Sequence, residues 1–394
     1  MAPAHDAEWE EPARRPSLLS IARNWLRLGI TGFGGPPAHV ALLRTLTVER
    51  HQWMSAEEFE HAVAATNVLP GPSSTQLAIY CGWRLRKTPG ALIAGLCFIT
   101  PGLIAIIALG AAILASGAPP WVRGAALGIG AVVPAVALRA GVDLLVPSFK
   151  RSKGITGARL RWGLWVALGA IACLTMGGAL VVGLLACGLI ELFLEARRRR
   201  QAPTGLSSIM AIGLPLATIG PLAWTALKVG ALSFGGGFVI IPLMEADAVS
   251  RHHWMSAPQF LAAVALGQLT PGPVVHTVAV VGYAAAGLSG ALLAACLAFA
   301  PSFVFILLGA GSFERLRTSP HALAFLSGAG PAAIGAIFGT AVALAAGMAH
   351  VWQLPLLCLG ALWLLVARKS IVGSLVFSGA TGVALGLLGA STSL

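Results

Sequence analysis

Charge is what this chain has least of. Only 10% of its 394 residues are Asp, Glu, Lys or Arg, against about a quarter in an average soluble domain. A soluble fold of this composition would have to bury nearly every face of every helix, which excludes an ordinary globular enzyme or binding module. Cysteine is sparse: Cys81, Cys97, Cys173, Cys187, Cys296 and Cys358 stand singly in apolar segments, without CxxC spacing or a neighbouring histidine cluster. That excludes a disulfide framework and a metal ribbon, and reads as small packing residues. Histidines are few and mostly lie in loops, so no metal, no cofactor and no enzyme chemistry is expected. Residues 1–16 hold no apolar core of a signal peptide, and this tail is expected to stay in the cytoplasm.

What the chain does have is apolar length. Hydrophobic residues make up 57% of it and the mean hydropathy is +0.84. Runs of about 20 residues, enough to cross about 30 Å of hydrocarbon, recur from Thr88 onward. The formal net charge is +12, but the basic residues cluster in short loops between apolar runs. This pattern reports membrane topology and excludes nucleic acid as a partner. The expected partner is the lipid bilayer.

The chain also repeats itself. An offset of 201 positions superposes Gly34-Gly35 on Gly235-Gly236, Trp53-Met54-Ser55-Ala56 on Trp254-Met255-Ser256-Ala257, and Pro70-Gly71-Pro72 on Pro271-Gly272-Pro273. The 54 gapless pairs from Arg23 to Gln76 hold 20 identities. After one deleted residue the match resumes, with Gly90 over Gly290 and Pro101 over Pro301. The protein is a tandem duplication.

Loop charges give the orientation of the copies. Arg84, Arg86 and Lys87 precede the first long run, whereas the matching loop in copy 2, AAAGLSG, is uncharged; one loop later Arg315 and Arg317 face the uncharged SGAPP of copy 1. Equivalent loops thus lie on opposite sides, and the repeats are read as inverted. The expected fold is an all-α integral membrane protein of two inverted-topology repeats, whose broken or re-entrant half-helices meet near the midplane. The expected units are a tail (1–16), an N-terminal repeat (17–149), a basic loop plus helical hairpin linker (150–205) and a C-terminal inverted repeat (206–394). Inversion needs an odd number of crossings between the cores: Trp162 to Met176, Gly178 to Leu194 and Leu206 to Pro221 supply three. The segments Ser17–Arg50 and Ser55–Arg84, with their copies, are pairs of apolar stretches too short singly to span. As re-entrant hairpins they leave nine full spans, as broken crossings thirteen. The C-terminus is expected in the periplasm.

Broken helices persist in hydrocarbon only where protein or a water-filled cavity satisfies the backbone, so four breaks in matched positions point to a shared interior site. Pro72 is a natural first residue for a half-helix, leaving the N–H groups around Ser73, Ser74 and Thr75 free to bind an anion. The candidate substrate-binding residues are Gly71, Ser73, Ser74, Thr75 and Gln76 in copy 1 and Gly272, His276 and Thr277 in copy 2. The paired amides Asn67 and Gln268 and the glycine tips Gly34, Gly35, Gly235 and Gly236 complete the set. Copy 2 has Val274 and Val275 where copy 1 has serines, so the copies share architecture without equal chemistry.

Four charged residues are candidate electrostatic or gating groups. Arg27 and Lys228 are mates under the repeat, each about two turns before a Gly-rich break; Arg139 is placed to pair with Asp143 at i+4. Glu245 and Asp247 are read as flanking a hairpin, which leaves no carboxylate relay in the spans. Ser55 with Glu58 and Ser256 with Gln259 fit capping boxes, Trp53 and Trp254 fit the interface belt, and His51, His252 and His253 fit a solvated membrane edge. The pairs Gly335/Gly339 and Gly382/Gly386 read as helix packing.

The motifs GFGGPPAHVALL, WMSAEEF, LPGPSSTQLAIYCGWR and PGALIAGLCFITPG, with the degenerate copies SFGGGFVIIPLM and LTPGPVV, resemble the chromate ion transporter family in its long form with two homologous halves. The resemblance implies an inner-membrane exporter of chromate that confers resistance to it, with a sulfate-like oxyanion as the alternative substrate; a homodimer is left open. Two positions depart from the family pattern: Ser73 stands where Asn is common, and Gln76 where an acidic residue is frequent, which weakens any proton-linked role there.

Overall fold

The computed structural model describes residues 16–115, 117–151, 157–176, 180–198, 220–233, 237–309 and 319–389. All regular elements among them are helical. In copy 1 these are α1 (Leu18–Thr31), α2 (Gly35–Arg44, continued by a π-helical turn to Arg50), α3 (Ala56–Val68), α4 (Ser73–Leu114), α5 (Pro120–Arg151), α6 (Ala158–Met176) and α7 (Leu180–Arg198). Copy 2 follows with α8 (Pro221–Leu232), α9 (Ile241–Glu245, continued by a π-helical turn to Arg251), α10 (Ala257–Leu269) and α11 (Thr277–Gly309). It ends with α12 (Pro320–Ala346), α13 (Gln353–Ala361, continued to Val366) and α14 (Ile371–Leu387). The expected crossing from Leu206 lies outside the described residues up to Gly220, as do Arg315, Arg317, Gly235 and Gly236.

The repeat is kept in fine detail. The π-helical turns at Thr45–Arg50 and Ala246–Arg251 stand 201 residues apart, as do the left-handed residues Gln52 and His253. Both capping boxes form: Ser55 Oγ accepts from Glu58 N at 3.1 Å while Glu58 Oε2 accepts from Ser55 N at 3.0 Å, and Ser256 with Gln259 does the same. Each box satisfies two orphan N–H groups at a helix start.

Four helical stretches, 73–114, 120–150, 274–309 and 320–346, are long and apolar enough to cross a membrane. Two of them reverse direction. In a continuous helix Ile79 and Gly95 would lie about 24 Å apart, yet the two are in contact, and Gly82 packs on Gly90. The reversal falls at Arg86 and Lys87, where Lys87 has φ +50°; its mate in α11 is Gly287, with φ +62°. The first arm of α4 is therefore a short apolar segment folded back on α3: Arg84 Nη2 meets Glu58 Oε1 at 2.5 Å, joining the end of that arm to the start of α3. α1 lies against both arms, with Trp25 Nε1 donating to Ala78 O at 3.0 Å and Gly29 pressed on the Phe98 carbonyl. Copy 2 repeats the last contact with Gly230 on the Ala298 carbonyl.

The copies are interlocked. The second arm of α4 packs on α11 through Gly95 against Phe303, and α5 on α12 through Gly141 against Phe338. The hairpin α6–α7, expected as a linker, packs along α12 of the other copy, where Gly335 abuts the Val166 carbonyl and Gly328 the Cys187 carbonyl. α13 and α14 pack in return along α5, with Gly382 against Gly124 and Gly386 against Pro120. Large apolar side chains such as Leu96, Ile104, Leu168, Val182, Leu292 and Leu308 remain exposed on the outside, as a lipid-facing surface requires.

Candidate functional site

The break in copy 1 runs from Leu69 to Pro72, all non-helical, with Gly71 at φ +117° where a side chain would be strained. α4 then starts at Ser73. Pro72 occupies the N-cap position, one residue earlier than the sequence suggests, with the same consequence: proline offers no capping side chain, and the N–H groups of the first turn have no side-chain acceptor. Ser74 and Thr75 are buried, Ser73 is half-buried, and Thr75 Oγ1 has no hydrogen-bond partner. Gln76 behaves differently from expectation. Its amide nitrogen donates to Pro70 O at 2.6 Å, so it ties the break to itself and leaves only Oε1 unpartnered. Thr277, its mate, likewise donates back to Val274 O at 2.9 Å. Both side chains brace their own breaks.

In copy 2 the break at Gly272, φ +94°, leads into a short 3-10 turn, Val274–His276, before α11. His276 is fully buried. Each break touches the end of the other copy's first hairpin. Gly272 N donates to Gly32 O at 2.9 Å, and a Cβ on Gly71 would stand 3.3 Å from Gly230 O. Gly32 O also accepts from His39 Nε2 at 2.9 Å. The His276 ring fills the space over Gly102, half-way along the second arm of α4. Mates under the repeat diverge here in matched sets: His276 against Thr75, His39 against Ile240, Gly32 against Ser233 and Gly102 against Ser302. One side of the junction thus holds two imidazoles and the other a set of hydroxyls. Ser233 Oγ, Ser302 Oγ and Gln268 Nε2 are buried without partners. Buried polar groups are almost always satisfied, so each of these atoms is a candidate to meet a polar occupant.

The amides Asn67 and Gln268 are not equivalent: Asn67 is exposed and Gln268 buried. Gly34 (φ +101°) is exposed and Gly35 (φ +73°) half-buried, whereas residues 237–244 in copy 2 are buried. The charged mates also part company. Arg27 is exposed; Lys228 is buried and its Nζ meets Asp247 Oδ2 at 2.5 Å, with Thr225 Oγ1 donating to the same oxygen at 2.7 Å. Asp247, read from sequence as flanking a hairpin, is an interior residue and the counter-ion of Lys228. Arg139 does pair with Asp143, at 2.8 Å, and its Nη1 donates to Leu364 O at 2.6 Å, the carbonyl of a π-helical turn in α13's continuation. At the edges His51 stacks on Trp53 and His252 on Trp254. Burial and the neighbouring Arg50 lower the His51 pKa, keeping it neutral at neutral pH.

His39, Ser233, Ser302 and Asp247 are the residues that reading the sequence misses. Their signal is present in the offset alignment, as positions where one copy places a polar side chain and its mate an apolar residue or glycine.

The comparisons with known proteins agree with this architecture. The family described as chromate transporter matches residues 19–192 and again 220–387. The chain is 32% identical over 380 residues to the chromate transport protein of Cupriavidus metallidurans, covering 94% of this chain and 93% of that one. It is 31% identical to the chromate transport protein of Pseudomonas aeruginosa (87% and 84% covered), and 30% identical to the probable chromate transport protein of Synechococcus elongatus (90% of each). No solved structure matches.

Proposed function

The chain belongs to the chromate transporter family, and from that premise we propose that it is a secondary transporter that exports chromate across the inner membrane, giving chromate resistance. The observation that supports this best is the start of α4: uncapped first-turn N–H groups behind Pro72, beside the buried hydroxyls of Ser74 and Thr75, with Thr75 Oγ1 unpartnered. A helix N-terminus carries about half a positive charge, worth about 0.3 to 2 kcal/mol to an anion. Directional N–H and O–H donors add geometry suited to a tetrahedral oxyanion. Sulfate, of the same shape and charge, is the alternative substrate.

The scaffold is two inverted-topology repeats with re-entrant hairpins, which leaves eight of the nine spans of that reading among the described residues. This reading is supported by the contact of Arg84 with Glu58, and by the register of α4 on α11: Gly95 meets Phe303 rather than its own mate Ala295. Such a register is that of helices running in opposite directions about a two-fold axis in the membrane plane. With the N-terminus cytoplasmic and the C-terminus periplasmic, the hairpins of copy 1 enter from the cytoplasm. The exposed tip at Gly34 and the exposed Asn67 then form an approach to Ser73, while the matching face of copy 2 is sealed. Energetics favour export: a dianion leaving an inside-negative cell gains about 4.6 kcal/mol per 100 mV.

Ser74→Glu tests the site. A fixed carboxylate where the anion binds should abolish chromate uptake into inverted vesicles and chromate resistance in cells. Full resistance in a variant that accumulates normally in the membrane refutes the assignment. Competition by sulfate at set potential separates the two substrates.

A further inference from the structure

We propose that His39 and His276 form a proton-binding pair at the junction of the two copies, and that this proton accompanies the oxyanion. The inference rests on the anion site proposed at the starts of α4 and α11. His39 is 1% exposed and His276 fully buried. The two side chains are linked through Gly32: its carbonyl accepts from His39 Nε2 and from Gly272 N, and Gly272 lies under the His276 ring.

Donation to Gly32 O fixes the tautomer of neutral His39. Nε2 bears the hydrogen, and Nδ1 is left with a lone pair and no donor. His276 lies beside the Ile99 carbonyl with neither ring nitrogen in a well-formed hydrogen bond. Three of four ring nitrogens are thus unused in an apolar setting. Phe98 meets His39 edge-on at 5.1 Å and Phe299 meets His276 at 5.3 Å. Of the titratable groups, His39 is the one whose charge is felt at His276. On the packed helices, Arg27 of α1 is exposed and Cys97 of α4 is half-buried. α11 presents Phe299 to His276, and α3 adds Glu57, Glu58, Glu60 and His61 in its first two turns, away from the junction.

Burial makes this pair a conditional proton site. An imidazolium alone would be an uncompensated charge in apolar surroundings, and at His276 it would also sit in the first turn leading into α11, at the positive end of that helix. A dianion at the same helix starts reverses both penalties. Proton and oxyanion therefore favour each other's binding, so the pair takes up one proton when the anion arrives and releases it when the anion leaves. The species moved then carries a net charge of one instead of two, so the potential drives its export with half the gain of the bare dianion. The copy 1 mate Thr75 and the copy 2 mate Ile240 cannot hold a proton, so one pair exists per chain.

The test is the steady-state accumulation of chromate in inverted vesicles at clamped potential and pH 8 outside, where chromate itself is deprotonated, with the internal pH varied. One coupled proton changes accumulation about tenfold per pH unit. His276→Thr and His39→Ile, which install each position's repeat mate, should reduce that dependence to less than about twofold per pH unit in whatever accumulation the potential still drives. His276→Asn, which keeps a donor and an acceptor but binds no proton, should do the same, and serves if the first two fail to accumulate. A pH-independent wild type, or variants that keep the tenfold dependence, overturns the proposal. A wild type that accumulates no chromate at any potential instead defeats the transport function on which it rests.

Discussion

Removing the buried cation of the α8–α9 contact should show how much of copy 2's stability rests on a single ion pair. In Lys228→Met, Asp247 keeps the Thr225 hydroxyl and a 4.0 Å contact with the exposed Arg251, but loses its one buried counter-charge. Breaking a buried pair from one side costs about 3–5 kcal/mol, because an unpaired charge is left in low dielectric. That is a factor of about 150 to 5,000 in the folding equilibrium. Asp247→Leu removes the carboxylate and supplies the residue that copy 1 buries at the matching position, Leu46. The double variant Lys228→Met with Asp247→Leu should therefore recover most of the loss, giving a coupling energy of at least about 2 kcal/mol in the double-mutant cycle. Equilibrium unfolding of purified protein in mixed micelles measures it. A double variant no more stable than the worse single, or a Lys228→Met loss under about 1 kcal/mol, would refute the argument that the pair is a mutual neutralisation.

Two smaller tests address other parts of the frame. Ser55→Ala and Ser256→Ala each remove one capping box and should cost about 1 kcal/mol apiece, equally in the two copies, by the same unfolding measurement; a loss confined to one copy would show that the boxes are not equivalent. Lys87→Cys and Gly287→Cys place thiols at the matching chain reversals. Inverted repeats require the first to react with an impermeant maleimide only in inverted vesicles and the second only in intact spheroplasts, so labelling of both from one side rules out inversion.

The scaffold was largely legible from the sequence because its determinants are local or periodic. Proline and glycine at 70–72 and 271–273 cannot continue a helix, the capping boxes are spacing patterns, and the duplication aligns its own landmarks. Arg139 with Asp143 followed from helical spacing alone. What escaped was everything that depends on which face of one hairpin meets the other copy. Asp247 is five residues from His252 at the membrane edge, and nothing in its neighbours says that a π-helical turn rotates it inward toward Lys228. His39 is held by the carbonyl of Gly32, a contact that no local spacing pattern announces. Gln76 stands among hydroxyls in the sequence, and no spacing reveals that its amide turns back on Pro70. The exchange of α6–α7 and α13–α14 between copies is likewise a long-range packing fact, set by small residues such as Gly124, Gly335 and Gly382 that look alike in every span.

The two copies differ in more than their site chemistry, and the difference is written into α3 and α10. From Leu261 to Gln268 α10 is buried throughout, while α3 exposes Glu60 and Asn67 and half-exposes His61. Were this only one of two interchangeable conformations, the sequences of the helices would be interchangeable too. They are not: α3 places Glu60 and His61 where α10 has Leu261 and Ala262, and burying Glu60 as deeply as Leu261 would desolvate its carboxylate together with the Arg44 guanidinium that meets it at 3.6 Å. The polar face of α3 therefore gives copy 1 a polar flank beside the break at Pro70–Pro72 that α10 does not give copy 2. A cysteine at each amide position separates the two ideas. Asn67→Cys should react with a hydrophilic maleimide at least about tenfold faster than Gln268→Cys, and the ratio should persist when chromate is added, since a ligand redistributes only states that the sequence permits. Equal rates, or a ratio that inverts with chromate, would mean that α3 and α10 exchange roles during transport and that the asymmetry belongs to one state of the cycle.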